Sequence, residues 1–236
     1  MARSVNSPQK TVRRELLQDS IMEAASRLFI QRGFQGTSMG DIAEAMGVTR
    51  TAIYYYFRNK EAILRELTSG ITEMAAKLAV GVTTEHADPE ETLRKLVAQH
   101  ASLILANPLQ FRVVERNEEQ LSPSIKKKAE ASRRMVLERF SAAIDAGIRT
   151  GQFRNVNAKV AAFAIIGMCN WGAWWFNPKG ALGFDDVVKT IVDLAMNSVL
   201  RVEERQLRDG SIGEVVRQLR DDLSVLERRI SELPGS

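Results

Sequence analysis

One cysteine, Cys169, and two histidines, His86 and His100, leave this 236-residue chain poor in soft metal ligands. A single cysteine excludes an internal disulfide framework. No Cys/His group has ligand spacing, so no metal site is expected. Cys169 lies in an apolar stretch and reads as a small buried hydrophobe. No run of about 18 uncharged apolar residues occurs, which argues against a membrane span. The start, MARSVNSPQKTVRR, is basic but lacks an apolar core, so it is not read as a secretory signal. With one thiol and no export signal, a cytoplasmic location is expected. Strand-like alternation is missing throughout. So are Ser-His-Asp, Cys-His and paired-acid arrangements, and no catalytic residue is assigned.

What is present begins with the stretch Gly33 to Leu64, GFQGTSMGDIAEAMGVTRTAIYYYFRNKEAIL. Ser38 can cap a first short helix, with Asp41 three residues on in the capping-box position. Met39, Ile42, Ala43 and Met46 recur at helical spacing. Gly47 ends that helix where a positive φ costs little. Thr49 caps a second helix with Ala52, Ile53, Tyr56 and Phe57 facing inward. Two short helices about a Gly turn, the second bearing hydroxyl, Arg and Tyr side chains, describe a helix-turn-helix that fits a major groove. Three adjacent tyrosines cannot all point inward on a helix, so the run is more than a core stripe.

Charge has the same address. Residues 1–65 hold 10 Lys and Arg against 6 Asp and Glu, and the remainder holds 23 against 23. The whole formal excess of +4 therefore sits on the segment with the DNA-reading pattern. Phosphate neutralisation dominates affinity for DNA, so a basic head on a neutral body is what a DNA reader requires.

The ordered set Gly33-Phe34, Thr37-Ser38-Met39, Asp41-Ile42-Ala43, Gly47-Val48-Thr49, Ile53-Tyr54-Tyr55-Tyr56-Phe57 and Lys60-Glu61 resembles the amino-terminal domain of TetR-family transcriptional regulators. The resemblance covers about Arg14 to Leu67 at motif strength and continues beyond as an all-helical pattern. It implies an all-α fold: a three-helix helix-turn-helix DNA-binding domain, then an all-helical ligand-binding and dimerisation domain. It also implies a DNA-contact set of Ser38, Thr49, Arg50, Thr51, Tyr54, Tyr55 and Lys60. Ser38 and Lys60 match helix-start positions that hold backbone phosphates through an amide and a charge, and Ser38 serves equally as a plain cap. Arg50 can bond guanine bidentately, while Thr and Tyr can touch phosphate or a thymine methyl.

Residues 1–12 read as a flexible basic arm, 13–62 as the DNA-binding domain, 63–205 as the body and 210–234 as an extra carboxy-terminal amphipathic helix. Helix boundaries are well punctuated. A first helix is expected from about Val12 to Arg32 and a fourth from Lys60 to about Val80. Asp88-Pro89-Glu90-Glu91 opens another, with a capping Asp, Pro at the first position and acids at the positive dipole end. Leu109 to about Gln120, Ser122-Pro123 to Thr150, Asn157 to Phe176 and Phe184 to about Glu204 follow.

In the body Trp171, Trp174, Trp175 and Phe176 crowd one helix end, with Phe111 and Phe163 in the same pattern. They are either core packing or the lining of an apolar small-molecule pocket. The segment NWGAWWFNPKGALGFDDV resembles a late stretch of TetR regulators of fatty-acid and steroid catabolism that respond to acyl-CoA thioesters. A CoA ligand brings phosphates, and Arg112, Arg116, Lys127 and Arg134 are candidate contacts, unless that charge run is only a solvated face. The function implied is a homodimeric repressor on an inverted-repeat, double-stranded operator, paired through its last two body helices and released by a small-molecule inducer. No cofactor and no membrane contact are expected. A multidrug-type sensor within the family, and an enzyme or carrier outside it, stay open as alternatives. In the tail Ile212, Val216, Leu219, Leu223, Leu226, Ile230 and Leu233 alternate spacings of four and three, a heptad seam. It can pair with another chain or fold back on its own body.

Overall fold

The computed structural model describes residues 8–82 and 88–201, with positions 216, 219, 220 and 223 beyond them. Nine α-helices occur among the described residues. They are α1 (Pro8–Arg32), α2 (Met39–Ala45), α3 (Arg50–Tyr56), α4 (Lys60–Gly81), α5 (Pro89–Ala106), α6 (Pro108–Arg116), α7 (Pro123–Thr150), α8 (Ala158–Trp175) and α9 (Phe184–Val199). A single 3-10 turn, Glu118–Gln120, joins α6 to α7. No described helix is long and apolar enough to cross a membrane.

Local chemistry sets most boundaries where the sequence puts them. Ser38 and Asp41 close a full capping box at α2. The side chains of Thr49, Asn59, Asp88 and Asn157 each accept from a backbone amide three residues on. Gly47 (φ 64°) and Gly151 (φ 81°) take the left-handed conformation that ends α2 and α7.

Three boundaries differ. The first helix begins at Pro8, not Val12, because proline at the first helical position needs no amide partner and has its φ preset. The helix expected over Leu109 to Gln120 stops at Arg116. Asn117 turns its own amide back, Nδ2 donating to the Val113 carbonyl at 2.7 Å, and the chain tightens into the 3-10 turn. The last helix ends at Val199, not Glu204. There Leu200 pairs with Phe153 in an isolated antiparallel bridge, with Arg154 N–H donating to Val199 O at 2.9 Å.

Two apolar clusters organise the chain. One joins α1 to α4 around Ile42, Ile53 and Ile63 and extends without a break to Phe111, Val113 and Val114 of α6 and to Leu121. The other fills the body around Phe140, Phe153 and Ile165. Helix α4 is common to both, contributing Leu64 and Ile71 to the first and Ala76 and Ala79 to the second. The carboxy-terminal helix expected over 210–234 lies outside the described residues apart from four helical positions, where Val216, Leu219 and Leu223 are exposed.

Candidate DNA-reading face and ligand cavity

Helix α3 buries Ile53 and turns Thr49, Arg50, Thr51, Tyr54 and Tyr55 outward, with Tyr55 71% exposed. Tyr56 instead packs against the head cluster and meets Tyr55 edge to face at 5.1 Å. From α1, the Arg14 guanidinium lies over the Tyr55 ring, 5.9 Å from its centroid. Arg50 rests on the start of α2, where a Cβ built on Gly40 would fall 2.5 Å from its Nη2. The five exposed residues therefore share one face, as a groove-reading helix needs.

Ser38 and Lys60 stand differently. The Ser38 hydroxyl accepts from the Asp41 amide and donates to Asp41 Oδ2 at 2.6 Å, and the Ser38 N–H donates to the same oxygen at 2.7 Å. Those bonds, the side-chain one foremost, hold the Asp41 carboxyl below its ordinary value. The amide expected to meet a phosphate is thus closed inside the cap. Lys60 is half-buried, and its Nζ donates to the carbonyls of Phe34 (2.7 Å), Thr37 (3.0 Å) and Gln35 (3.4 Å), 4.6 Å from the Phe34 ring centroid. An ammonium has three donors, and here each meets a carbonyl of the α1–α2 loop. Lys60 clamps that loop in place of reaching outward.

The body holds a cavity of about 1080 Å³ walled by α4, α5, α6, α7 and α8. Such a volume suits a sizeable apolar ligand. Of the expected lining only Phe111 and Phe163 contribute, and Ile71, Ile104, Val114, Val136, Leu137 and Ile166 are among the apolar residues beside them. The tryptophans go elsewhere: Trp171 is 65% exposed, Trp175 is exposed, Trp174 packs on the head cluster beneath Arg116, and Phe176 is buried in the body core. Among the candidate phosphate contacts Arg134 reaches the cavity, and Arg112, Arg116 and Lys127 do not line it.

Besides Arg134 and its neighbour Arg133 of the same basic run on α7, residues that the sequence did not single out supply the cavity's polar groups. His100 Nε2 and Asn170 Oδ1 are 2.9 Å apart on the α5 and α8 walls. Burial pushes the His100 pKa down, which keeps the ring neutral. Arg133, on α7, donates through Nη1 to Glu118 at 2.8 Å, and its buried Nη2 has no hydrogen-bond partner. Glu115 lies beside it, raised by burial against the opposing charge of Arg133. Glu138, Asp145 and Lys159 complete the charged part of the wall. These positions carry no motif. Apart from the basic run that holds Arg133, they become visible only once α7 and α8 are paired. Cys169 is fully buried, and its thiol is pushed up to about 12 by that burial, which leaves it inert.

Residues 21–67 match the family described as bacterial regulatory proteins, tetR family, and residues 86–199 match the tetracyclin repressor-like C-terminal domain. The regulator PfmR of Thermus thermophilus is 32% identical in its solved structure, with a TM-score of 0.67 over 75% of this chain and 97% of that one. The chain belongs to the TetR family of transcriptional regulators. TetR regulators bind DNA through the helix-turn-helix and are not enzymes, which sets aside the enzyme or carrier alternative. The TetR relative TtgR of Pseudomonas putida is 42% identical over 80 residues, 34% of this chain and 38% of that relative's length. AibR, solved with isovaleryl coenzyme A and operator DNA, is 25% identical with a TM-score of 0.62, over 75% of this chain and 96% of that one.

Proposed function

We propose that this TetR-family regulator is a homodimeric repressor released from an inverted-repeat operator when an acyl-CoA thioester occupies the body cavity. The observation that carries the reading is the cavity itself. Helix α4 begins in the head cluster and lines the cavity with Ile71, Thr72 and Ala75, so a ligand there touches the helix that carries the head. An interior of Phe111, Val114 and Ile166 suits an acyl or ring-bearing group. Arg134 and Lys159, both exposed on the wall, offer cations for the anionic part of the ligand. AibR, similar along nearly its whole length, was solved with a short acyl-CoA and DNA together, which supports the class. The stronger identity to TtgR covers only 80 residues and bears less on the ligand.

On this reading Thr49, Arg50, Thr51, Tyr54 and Tyr55 form the DNA-facing set, and the exposed apolar residues of α8 and α9 join the two subunits. A thermal-shift panel of CoA esters against uncharged amphipathic compounds tests the ligand class, because a ligand of the native state raises the melting temperature. The expected result is stabilisation by one or more CoA esters, with loss of the gel-shifted operator complex at the same concentrations. Stabilisation by uncharged compounds alone would move the protein to the multidrug-type reading.

A further inference from the structure

The turn Glu118–Gln120 is held at three points that belong to different parts of the molecule. Glu118 is tied to Arg133 of the cavity wall at 2.8 Å. Gln120 Oε1 accepts from Gln35 Nε2, in the α1–α2 loop of the head, at 2.8 Å. Leu121, the next residue, is buried in the head's apolar cluster. The loop that Gln35 belongs to is the one Lys60 clamps, and it leads through Thr37 and Ser38 into α2. Few bonds therefore separate the cavity wall from the helix-turn-helix.

Arg133 also has donor capacity to spare. Its Nη2 is buried without a partner, and Glu115, a cavity-lining residue one turn of α6 before the 3-10 segment, interacts with its charge. A guanidinium can serve two carboxylates. Paired with Glu118 it anchors the turn, and drawn toward Glu115 it releases it. Coupling between sites requires an element with two discrete arrangements, here the Glu118-paired one that the structure holds and the Glu115-paired one that Arg133 would adopt on release.

We propose that the turn Glu118–Gln120 is a latch that sets the position of the DNA-reading head from the cavity wall, with Glu118 and Gln120 as its positioning residues. Arg133 is the end of the latch that a cavity ligand meets. The latch rests on the ligand-released reading given above, yet hydrogen exchange tests it without ligand or DNA, so either can fail alone.

The experiment is amide exchange, read by mass spectrometry, on the full chain and on Gln120→Ala, Glu118→Ala, Arg133→Met, Arg133→Lys and the Arg133→Met/Gln120→Ala pair. Losing one net hydrogen bond corresponds to roughly a fivefold change in a local opening equilibrium. Residues 33–46 should therefore exchange about fivefold faster in Gln120→Ala, Glu118→Ala and Arg133→Met, with α9 unchanged. Groups in series break once, so the double variant should be no faster than either single. Arg133→Lys, still able to reach a carboxylate, should keep the wild-type rate. Faster exchange at 117–121 with no change at 33–46 in Arg133→Met overturns the latch, and so does an additive double variant. Should Arg133→Met also loosen α9, Glu118→Ala carries the comparison, and an unchanged 33–46 there overturns it equally.

Discussion

Arg50 and Lys60 are both cations of the helix-turn-helix segment, and their surroundings give them opposite roles. Arg50 is exposed, with a guanidinium that rests on the Gly40 backbone near the charge of Asp41 and can swing toward a base. Lys60 has its three donors committed to carbonyls of Phe34, Gln35 and Thr37. Arg50→Ala should cost about 1–3 kcal/mol per half-site on operator DNA and much less on random DNA, as loss of a bidentate base contact does. Lys60→Met should strip the α1–α2 loop carbonyls of their ammonium donor, leaving Phe34 O only its 3.3 Å bond from the Thr37 amide, and lower folding stability by about 1–3 kcal/mol. Denaturant titration beside operator and random-sequence gel shifts, at stated salt, separates the two. A Lys60→Met protein of wild-type stability with weakened binding to all DNA would return Lys60 to the phosphate backbone. Sequence alone placed both residues correctly at helix starts. It could not tell which way a flexible four-carbon stem folds, because that depends on where the loop at 34–37 passes in space.

Most elements were legible where a strong local cap or stop ends them. The Ser38–Asp41 box, Pro89 behind Asp88, and Gly151 each act within a few residues, and the helices start or stop where those groups stand. Of the boundaries that moved, the start at Pro8 and the stop before Asn117 have local causes that periodicity does not register, whereas the end of α9 depends on a distant partner, Leu200 leaving the helix to pair with Phe153. The same joint explains a glycine that no pattern marked. A Cβ on Gly147 of α7 would lie 2.1 Å from Cδ2 of Phe153, whose ring is fully buried and cannot yield. The glycine lets the chain fold back across α7 so that Phe153 fills the core and bridges to the end of α9. Gly147→Ala should therefore destabilise the body by about 1–3 kcal/mol through overpacking, despite the gain in helix propensity. Gly70, with open space around its Cα, is the control: Gly70→Ala should be neutral or stabilising by up to about 1 kcal/mol. Thermal unfolding of the two variants checks this, and an unharmed Gly147→Ala would mean that Phe153 has room to move. The cavity shows the same division. Phe111 and Phe163 were found as aromatics, but the aromatic density at 171–176 lies outside the cavity, with Trp171 and Trp175 facing outward and Trp174 and Phe176 joining the apolar clusters.

That outward face matters for the molecule as a whole. Val160, Phe163, Trp171 and Trp175 on α8, with Leu194 on α9, remain exposed in a single chain although each is large and apolar. Spacings of three and four along α8 set them in one stripe, and Ala164 and Gly167 between them permit close helix approach. Surface apolar residues are ordinary singly, whereas a contiguous stripe on two adjacent helices marks an interface. A two-fold pairing through this face would present two recognition helices to the two half-sites of an inverted repeat. It would also cover Phe163, which lines the cavity as well, so ligand and partner subunit share a wall. Trp171, at 65% exposed, is far from the DNA-facing residues in sequence and absent from the cavity lining, so it isolates the interface. Trp171→Glu should place a charge on that face and convert the proposed dimer to monomer by light scattering. Operator affinity should fall with it, because one half-site supplies only part of the binding free energy, while the head keeps its fold by circular dichroism. If the glutamate variant stays dimeric at micromolar concentration and binds operator as the parent does, pairing runs through a different surface, and the exposed seam positions Val216, Leu219 and Leu223 become the next place to look.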